Sequence, residues 1–198
     1  MTTFTAKAYD DETFEDVDLA GTTLDGIRFR DCSFRRCHFG EATLASCRFS
    51  DCDFTDCNLS LAKLTGSGFD AVRFTDCKMV GIDWTRAHWP HVRLAKALSF
   101  LRCVLNDSSF FGLDLRECAL VECRAFDVDF TDANCEDTDL RDTDLRDSVF
   151  ARTRLARANF VGAQNYRIDV FHNDIKRARF SLPEAVALLD GLDIDLQD

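Results

Sequence analysis

An apolar side chain recurs at every fifth position along almost the whole chain. The series runs without a gap from Phe4 to Leu94 and, after one inserted residue, continues from Phe100 to Phe180, with Asn165 as its only polar member. A strand alternates every two residues and a helix about every 3.6, so a period of five fits neither element. The chain must therefore turn steadily and present the same position of each unit to one interior. This pattern predicts a solenoid, in which each repeat packs only on its neighbours.

A second series, of small residues, strengthens this prediction. It lies two positions before each large residue, as Cys52 lies before Phe54 and Ala158 before Phe160. A narrow, filled interior requires such a combination of large and small side chains. The other positions of each unit are mostly Asp, Arg, Ser, Thr, Gly and Asn, which suit turns and solvent.

The individual units resemble those of a known family. Residues 52–56 (CDFTD) and 158–162 (ANFVG) are similar to the A(D/N)LXX pattern of pentapeptide-repeat proteins, and the resemblance covers residues 4–180. It implies an all-β solenoid, namely a right-handed quadrilateral β-helix with about 20 residues in each coil. We therefore predict a pentapeptide-repeat β-helix over residues 1–180, followed by a short C-terminal helix and tail over residues 181–198.

The charge of the chain limits its partners. The formal net charge is −11, and residues 127–147 contain nine carboxylates against Arg141 and Arg146. A surface that binds nucleic acid is basic, so direct nucleic-acid binding is disfavoured and a basic partner is favoured. The N-terminus lacks the basic and apolar regions of a signal peptide, and no apolar run approaches the ~18 residues of a membrane span. The sequence therefore predicts a cytoplasmic protein without membrane contact.

The ten cysteines predict packing rather than chemistry. All but one occupy the small inward series and Cys135 occupies a large inward position, so we interpret them as compact apolar fillers. Disulfides or a bound metal are the alternative. With coils of about 20 residues, three groups of cysteines stack on neighbouring coils: Cys37 with Cys57 and Cys77, Cys32 with Cys52, and Cys103 with Cys123.

Catalytic, cofactor and metal sites are not predicted. The four histidines are scattered, and His88 and His91 have no cluster of carboxylates or thiols beside them to complete a metal site. The sequence contains no Gly-rich phosphate loop, and a filled coil lacks the pocket that small-molecule chemistry needs. We therefore expect a protein that is not an enzyme and binds no cofactor.

Carboxylates recur in one register in the C-terminal half of the chain. Seven consecutive units carry an acid two residues after the large inward position, and we call this set the acidic band: Glu117, Glu122, Asp127, Asp132, Asp137, Asp142 and Asp147. On a four-sided coil the acidic band places a carboxylate on every face over nearly two coils. We interpret it as a partner-binding surface. The alternative is that these acids only keep the rod soluble.

The inward series ends at Phe180, where a helix is predicted to begin. Residues 181–184 (SLPE) have the form of a capping box, with Ser181 as the N-cap and Glu184 three residues later. Both faces of the helix are apolar, so we expect one to cap the last coil and the other to form a homodimer, with a simple cap as the alternative. The predicted dimer residues, the C-terminal apolar set, are Leu182, Ala185, Val186, Leu188, Leu189 and Leu192.

Some stretches are similar to one branch of the family. Residues 165–184, and the segments around Trp84, Trp89 and Phe100, resemble the topoisomerase-protecting branch, the Qnr-type and albicidin-resistance proteins. This resemblance implies a DNA mimic that binds DNA gyrase or topoisomerase IV and protects it from a poison such as albicidin or a quinolone. The alternatives are a scaffolding protein with another protein partner and a gyrase inhibitor without a resistance role.

One departure from that branch concerns its loops. Many Qnr-type proteins project long loops that protection requires, whereas a single inserted residue is the only break that the period of five reveals here. This residue lies within residues 88–99, which we predict to form a bulge.

Overall fold

The computed structural model describes residues 4–89, 98–192 and 194. Every strand is two or three residues long, because one pentapeptide forms one side of the coil and the rest of it forms the turn. The strands are β1 (Ala8–Asp10), β2 (Thr13–Glu15), β3 (Thr23–Asp25), β4 (Arg28–Arg30), β5 (Ser33–Arg35), β6 (Thr43–Ala45), β7 (Arg48–Ser50), β8 (Asp53–Thr55), β9 (Gly68–Asp70), β10 (Arg73–Thr75), β11 (Ser99–Leu101), β12 (Ala119–Val121), β13 (Asn159–Phe160) and β14 (Arg179–Phe180). Two 3-10 helices span Trp84–Arg86 and Glu184–Leu192.

All strand pairs are parallel, and each strand pairs with the strand one coil away. The sheets have the orders β1-β4-β7-β9, β2-β5-β8-β10-β11-β12, β3-β6 and β13-β14. Phe14 lies opposite Phe34 and Phe34 opposite Phe54, so one coil takes 20 residues. Isolated parallel bridges continue this ladder along the other sides of the coil. The result is a parallel β-solenoid of about eight turns with a short C-terminal helix, and the predicted fold is confirmed.

One coil is longer than the others. Phe74 pairs with Phe100, an offset of 26 residues, and Lys78 and Asp83 bridge to Val104 and Ser109 with the same offset. The extra six residues equal one whole pentapeptide plus one residue. The prediction of a single inserted residue as the only break is therefore wrong. The bulge predicted for residues 88–99 lies mostly outside the described residues, since residues 90–97 are not among them.

The large inward series forms stacked ladders in the core. Phe34 and Phe54 lie face to face with ring centroids 4.5 Å apart, and Phe74 stacks on Phe54 at 5.0 Å and on Phe100 at 5.2 Å. Parallel strands in exact register place identical positions directly above one another, one strand spacing of about 4.8 Å apart. The period of five therefore becomes a set of continuous aromatic and aliphatic columns.

The small inward series adds hydrogen bonds between coils. The Cys57 thiol donates to the Phe34 carbonyl oxygen at 3.4 Å, and the Thr143 hydroxyl donates to the Leu120 carbonyl oxygen at 2.6 Å. All ten cysteines are buried and free, and burial raises the pKa of the Cys52 thiol to about 12. Because the long coil sets Cys77 against Cys103, two predicted groups join into one column: Cys37, Cys57, Cys77, Cys103 and Cys123.

The last coils depart from the predicted inward series. Asn165 is exposed in a left-handed conformation with φ of 57°, while Tyr166 and Ile168 are buried. Ile168 bridges to Phe150 with an offset of 18 residues rather than 20. The inward side chain is therefore Tyr166, and the assignment of Asn165 to the interior is wrong, because burying a large apolar ring stabilises the core more than keeping the strict period.

The C-terminal helix lies where the sequence places it but differs in detail. Its hydrogen-bond pattern is that of a 3-10 helix from Glu184 to Leu192. The predicted capping box does not form, because the Ser181 hydroxyl oxygen accepts from the Gly162 N–H of the preceding coil at 2.9 Å. Ser181 thus ties the helix start to the coil. The division of the chain at residue 180 remains a prediction.

Candidate partner-binding surface

The corners of the coil have one conformation in common. At most corners the residue two places after the large inward position has a positive φ, and at Asp56, Asp127 and Asp142 the values are 53°, 54° and 57°. Arg86, in the first 3-10 helix, is an exception. These turns use the left-handed region, which Gly, Asn and Asp adopt more readily than other residues. The register of the acidic band therefore has a conformational cause.

Every member of the acidic band lies at such a corner and is exposed. The φ values run from 53° at Glu122 to 60° at Glu117. Because consecutive units occupy consecutive corners, the acidic band surrounds the rod over nearly two coils. The expected distribution of carboxylates around the coil is thus present.

Arginines of the next coil neutralise part of the acidic band. The Arg152 guanidinium donates two hydrogen bonds to Asp132 at 2.7 and 2.8 Å, and that of Arg157 donates two to Asp137 at 2.8 and 2.7 Å. These hydrogen bonds lower the pKa of both carboxyl groups. Glu136, outside the acidic band, pairs with Arg154 and Arg157.

The other five members form no ion pair among the described residues. Glu122 and Asp142 stack at one corner, and Asp127 and Asp147 stack at the next. Asp107 extends the second stack by one coil, with φ of 59° and an exposed side chain. The sequence analysis missed Asp107, although it has the same register as the acidic band.

These carboxylates form two rows that flank a single side of the rod. Row one is Glu122 and Asp142, and row two is Asp107, Asp127 and Asp147. Between the rows Phe126 lies under two guanidinium groups, with Arg124 and Arg146 at 5.5 and 4.8 Å from the ring centroid. A three-residue side spans roughly 10 Å at ~3.3 Å per residue. The rows are therefore parallel lines of carboxylates on adjacent corners, with the guanidinium groups of Arg124 and Arg146 between them.

The C-terminal apolar set divides between cap and surface. Leu188 packs against the core, and Ala185 and Leu189 are also partly buried. Leu182, Val186 and Leu192 are exposed, with Leu182 at 80% of its full area. One face of the helix thus closes the coil and the other is open to solvent. Whether a second subunit covers it stays a prediction.

Two further apolar side chains near this end of the rod were not predicted. Phe171 is 69% exposed and Val161 is 42% exposed. Both directly follow a position of the inward series and so point outward, which the period of five already indicated. Val161 and Phe171 lie ten residues apart, half a coil, and therefore on different sides of the rod, whereas Leu182, Val186 and Leu192 belong to the C-terminal helix region.

Metal clusters, grooves and membrane-spanning helices are the other features that bear on function. The described residues contain no group of His, Cys, Asp and Glu arranged to hold a metal ion. Two open grooves of about 640 and 330 Å3 lie on the outside of the coil. No helix among the described residues is long and apolar enough to cross a membrane.

Comparisons with known proteins agree with this architecture. Two trypsin-treated variants of QnrB1, a plasmid-mediated fluoroquinolone resistance protein, have similar structures. The first is 19% identical with a TM-score of 0.61 and covers 97% of this chain and 98% of its own. The second is 16% identical with a TM-score of 0.50 and covers 94% of this chain and 100% of its own.

Among curated protein sequences no match to the chain is found. A family model described as a pentapeptide repeat region matches residues 7–82, 27–98 and 82–160. These ranges include most of the coil, and the chain belongs to the pentapeptide-repeat family.

Proposed function

We propose that this protein is a non-enzymatic DNA mimic of the cytoplasm that binds a type II topoisomerase, DNA gyrase or topoisomerase IV, and protects it from a poison such as albicidin or a quinolone. The observation that carries the proposal is the pair of carboxylate rows on adjacent corners of the rod. Their separation of roughly 10 Å lies between the ~6 Å and ~12 Å widths of the DNA grooves. The rows thus resemble two phosphate strands that flank a groove.

The dimensions of the rod suit this role. About eight turns at roughly 4.8 Å each give a rod near 40 Å. A homodimer through the exposed apolar C-terminal surface reaches about twice that length and places both pairs of rows toward its centre. DNA carries one charge per ~1.7 Å, a density that the whole rod does not reach. The mimicry is therefore local, and the charge match mainly speeds encounter and fixes register.

The protection step rests on the relatives. QnrB1 is described as a fluoroquinolone resistance protein, and this chain has its fold at low sequence identity. A basic groove that grips DNA attracts the same carboxylate rows whether or not a drug is present. Binding to the topoisomerase is thus the core of the proposal, and the identity of the poison follows from it only by analogy.

The test neutralises one row without disturbing the turns. We expect the triple variant D107N/D127N/D147N to bind gyrase more weakly, and the loss to shrink as salt is added, because exposed charges are screened. The matched control D11N/D31N/D56N changes three corner carboxylates with φ values of 50° to 53° near the other end of the rod and should bind nearly as well as the wild type. Equal losses in both variants contradict the proposal.

A second candidate function is a scaffold with another protein partner. The turn conformation favours it, because left-handed corners account for aspartates at these positions without any topoisomerase. A supercoiling assay with and without albicidin and a fluoroquinolone separates the candidates. Rescue of drug-treated gyrase supports protection, and inhibition without drug supports a plain inhibitor. If the protein does neither, the scaffold is supported.

A further inference from the structure

At several places along the rod, charged side chains on neighbouring coils pair with the opposite sign. At six places an Asp accepts two hydrogen bonds from an Arg of the next coil, at 2.6–2.9 Å: Asp10 with Arg30, Asp16 with Arg36, Asp53 with Arg73, Asp76 with Arg102, Asp132 with Arg152, and Asp137 with Arg157. Asp10 with Arg30 and Asp53 with Arg73 lie opposite each other on paired strands, and the other four pairs lie at corners. Opposite charges at facing positions support the fold.

Arg28 and Arg48 lack this arrangement. They lie directly opposite each other on β4 and β7, and both are exposed. Neither guanidinium takes part in an ion pair among the described residues. Like charges directly opposite each other destabilise a sheet. In a chain of net charge −11, two adjacent exposed arginines without a carboxylate partner form a local basic site.

The Arg48 side chain is held in place. Its Nη1 donates to the carbonyl oxygens of Cys47 at 3.0 Å and Gly66 at 2.7 Å. Gly68, one coil further, leaves the space that this side chain occupies, because a Cβ there would lie 3.1 Å from Arg48 Cδ. The φ of Gly68 is not in the left-handed region, so its backbone does not require glycine. Gly68 therefore accommodates Arg48.

The two arginines line a groove on the outside of the coil. The groove has a volume of about 330 Å3, and Arg28 and Arg48 form its wall opposite Arg30, which pairs with Asp10. Its floor is the backbone of β1, β4 and β7, whose amides are paired within the ladder. The guanidinium groups are the cationic donors of the groove, beside the Ser50 hydroxyl, and their planar fork matches carboxylates.

We propose that this groove binds carboxylate side chains of an acidic segment of a partner protein. The groove is open, so a single small anion stays hydrated there. A protein segment with several carboxylates binds more tightly, because each carboxylate adds an interaction with a guanidinium group. Two acids four residues apart on a helix have Cβ atoms about 5–6 Å apart, close to the ~4.8 Å between coils. The groove lies at the opposite end of the rod from the carboxylate rows and is independent of the function proposed above.

The test uses a variant that removes the site and is expected to stabilise the folded protein. R28D sets a carboxylate opposite Arg48 and repeats the strand arrangement of Asp10 with Arg30 and Asp53 with Arg73. We expect its melting temperature to equal or exceed that of the wild type. The probe is a fluorescein-labelled alanine-based helical peptide with glutamates four residues apart, and its binding, followed by anisotropy at low salt, should weaken at least about tenfold.

The control is K78D, which makes the same change in net charge on another side of the coil, where Lys78 is exposed and has no ion pair among the described residues. It should weaken binding less than about threefold. G68A, which crowds Arg48 while keeping every charge, should weaken binding as well.

Three results overturn the proposal. The first is a peptide-binding result: either the wild type does not bind the peptide, or R28D and K78D lose peptide affinity equally. The second is duplex DNA binding that depends on Arg28 more strongly than peptide binding does. The third is self-association of the wild type in light scattering that R28D abolishes, since the occupant is then a second copy of the chain.

Discussion

Substitutions of the corner aspartates can distinguish two requirements: the left-handed backbone conformation of the turn and the negative charge that a partner would bind. Asp127 is exposed, has φ of 54° and forms no ion pair among the described residues. Asn tolerates this left-handed conformation and Gly adopts it freely, whereas a β-branched residue is a true outlier there. A Val at the same position keeps the side chain exposed but opposes the turn.

The magnitude follows from the cost of the left-handed region, about 1–2 kcal/mol for an ordinary L-residue. We expect D127V to lose about that much free energy of unfolding, and D127N less than ~0.5 kcal/mol. Asp56 and Asp142 have φ values of 53° and 57°. Asp56 lies on a distant coil, and Asp142 lies at the adjacent corner of the next coil, roughly one side of the coil from Asp127. Their effects should add to that of D127V, so the triple Val variant should lose about 3–6 kcal/mol. Urea unfolding with an unchanged m-value measures both series.

If the Val and Asn variants are equally stable, the conformational account of the acidic positions is refuted, and charge alone must explain their register. If the Val variants are destabilised but the Asn variants still lose gyrase binding, both requirements act at the same residues.

Two further predictions concern the C-terminus and the core. Truncation after Phe180, or L188D combined with L189D, should give monomer or aggregate in light scattering, because burial of each leucine is worth about 1.5–3 kcal/mol; a clean dimer that survives places the interface elsewhere. Thiol titration should label few cysteines in native protein and all ten after denaturation, since all are buried and free; stable disulfides in fresh protein contradict the interpretation of the cysteines as fillers.

The fold was predictable because one simple requirement dominates it. A filled coil needs a large side chain at one position of each unit, and Phe34, Phe54 and Phe74, all fully buried, supply it. The long coil was not predictable from the same pattern. A count by fives detects only the remainder after whole units, so an insertion of six residues looks like an insertion of one.

The candidate surface was predictable only in part. The register of the acidic band was visible, but its conformational cause depends on dihedral angles that the sequence does not give. The neutralisation of Asp132 by Arg152 was visible in principle, because the two residues lie 20 positions apart, one coil. The buried position of Tyr166 was also signalled, since an aromatic residue directly follows the one polar member of the inward series.

The turn requirement and the charge requirement are compatible. Gly, Asn and Asp all suit a left-handed corner, so the fold does not determine which of the three residues is used. The corners of the N-terminal half include Gly21, Gly26, Gly66 and Gly81, and even Leu61 with φ of 61°. From Glu117 to Asp147 every corner is acidic. The turn does not require a charge, so the left-handed conformation does not explain why all seven of these corners are acidic. This feature favours the proposed basic partner at this end of the rod.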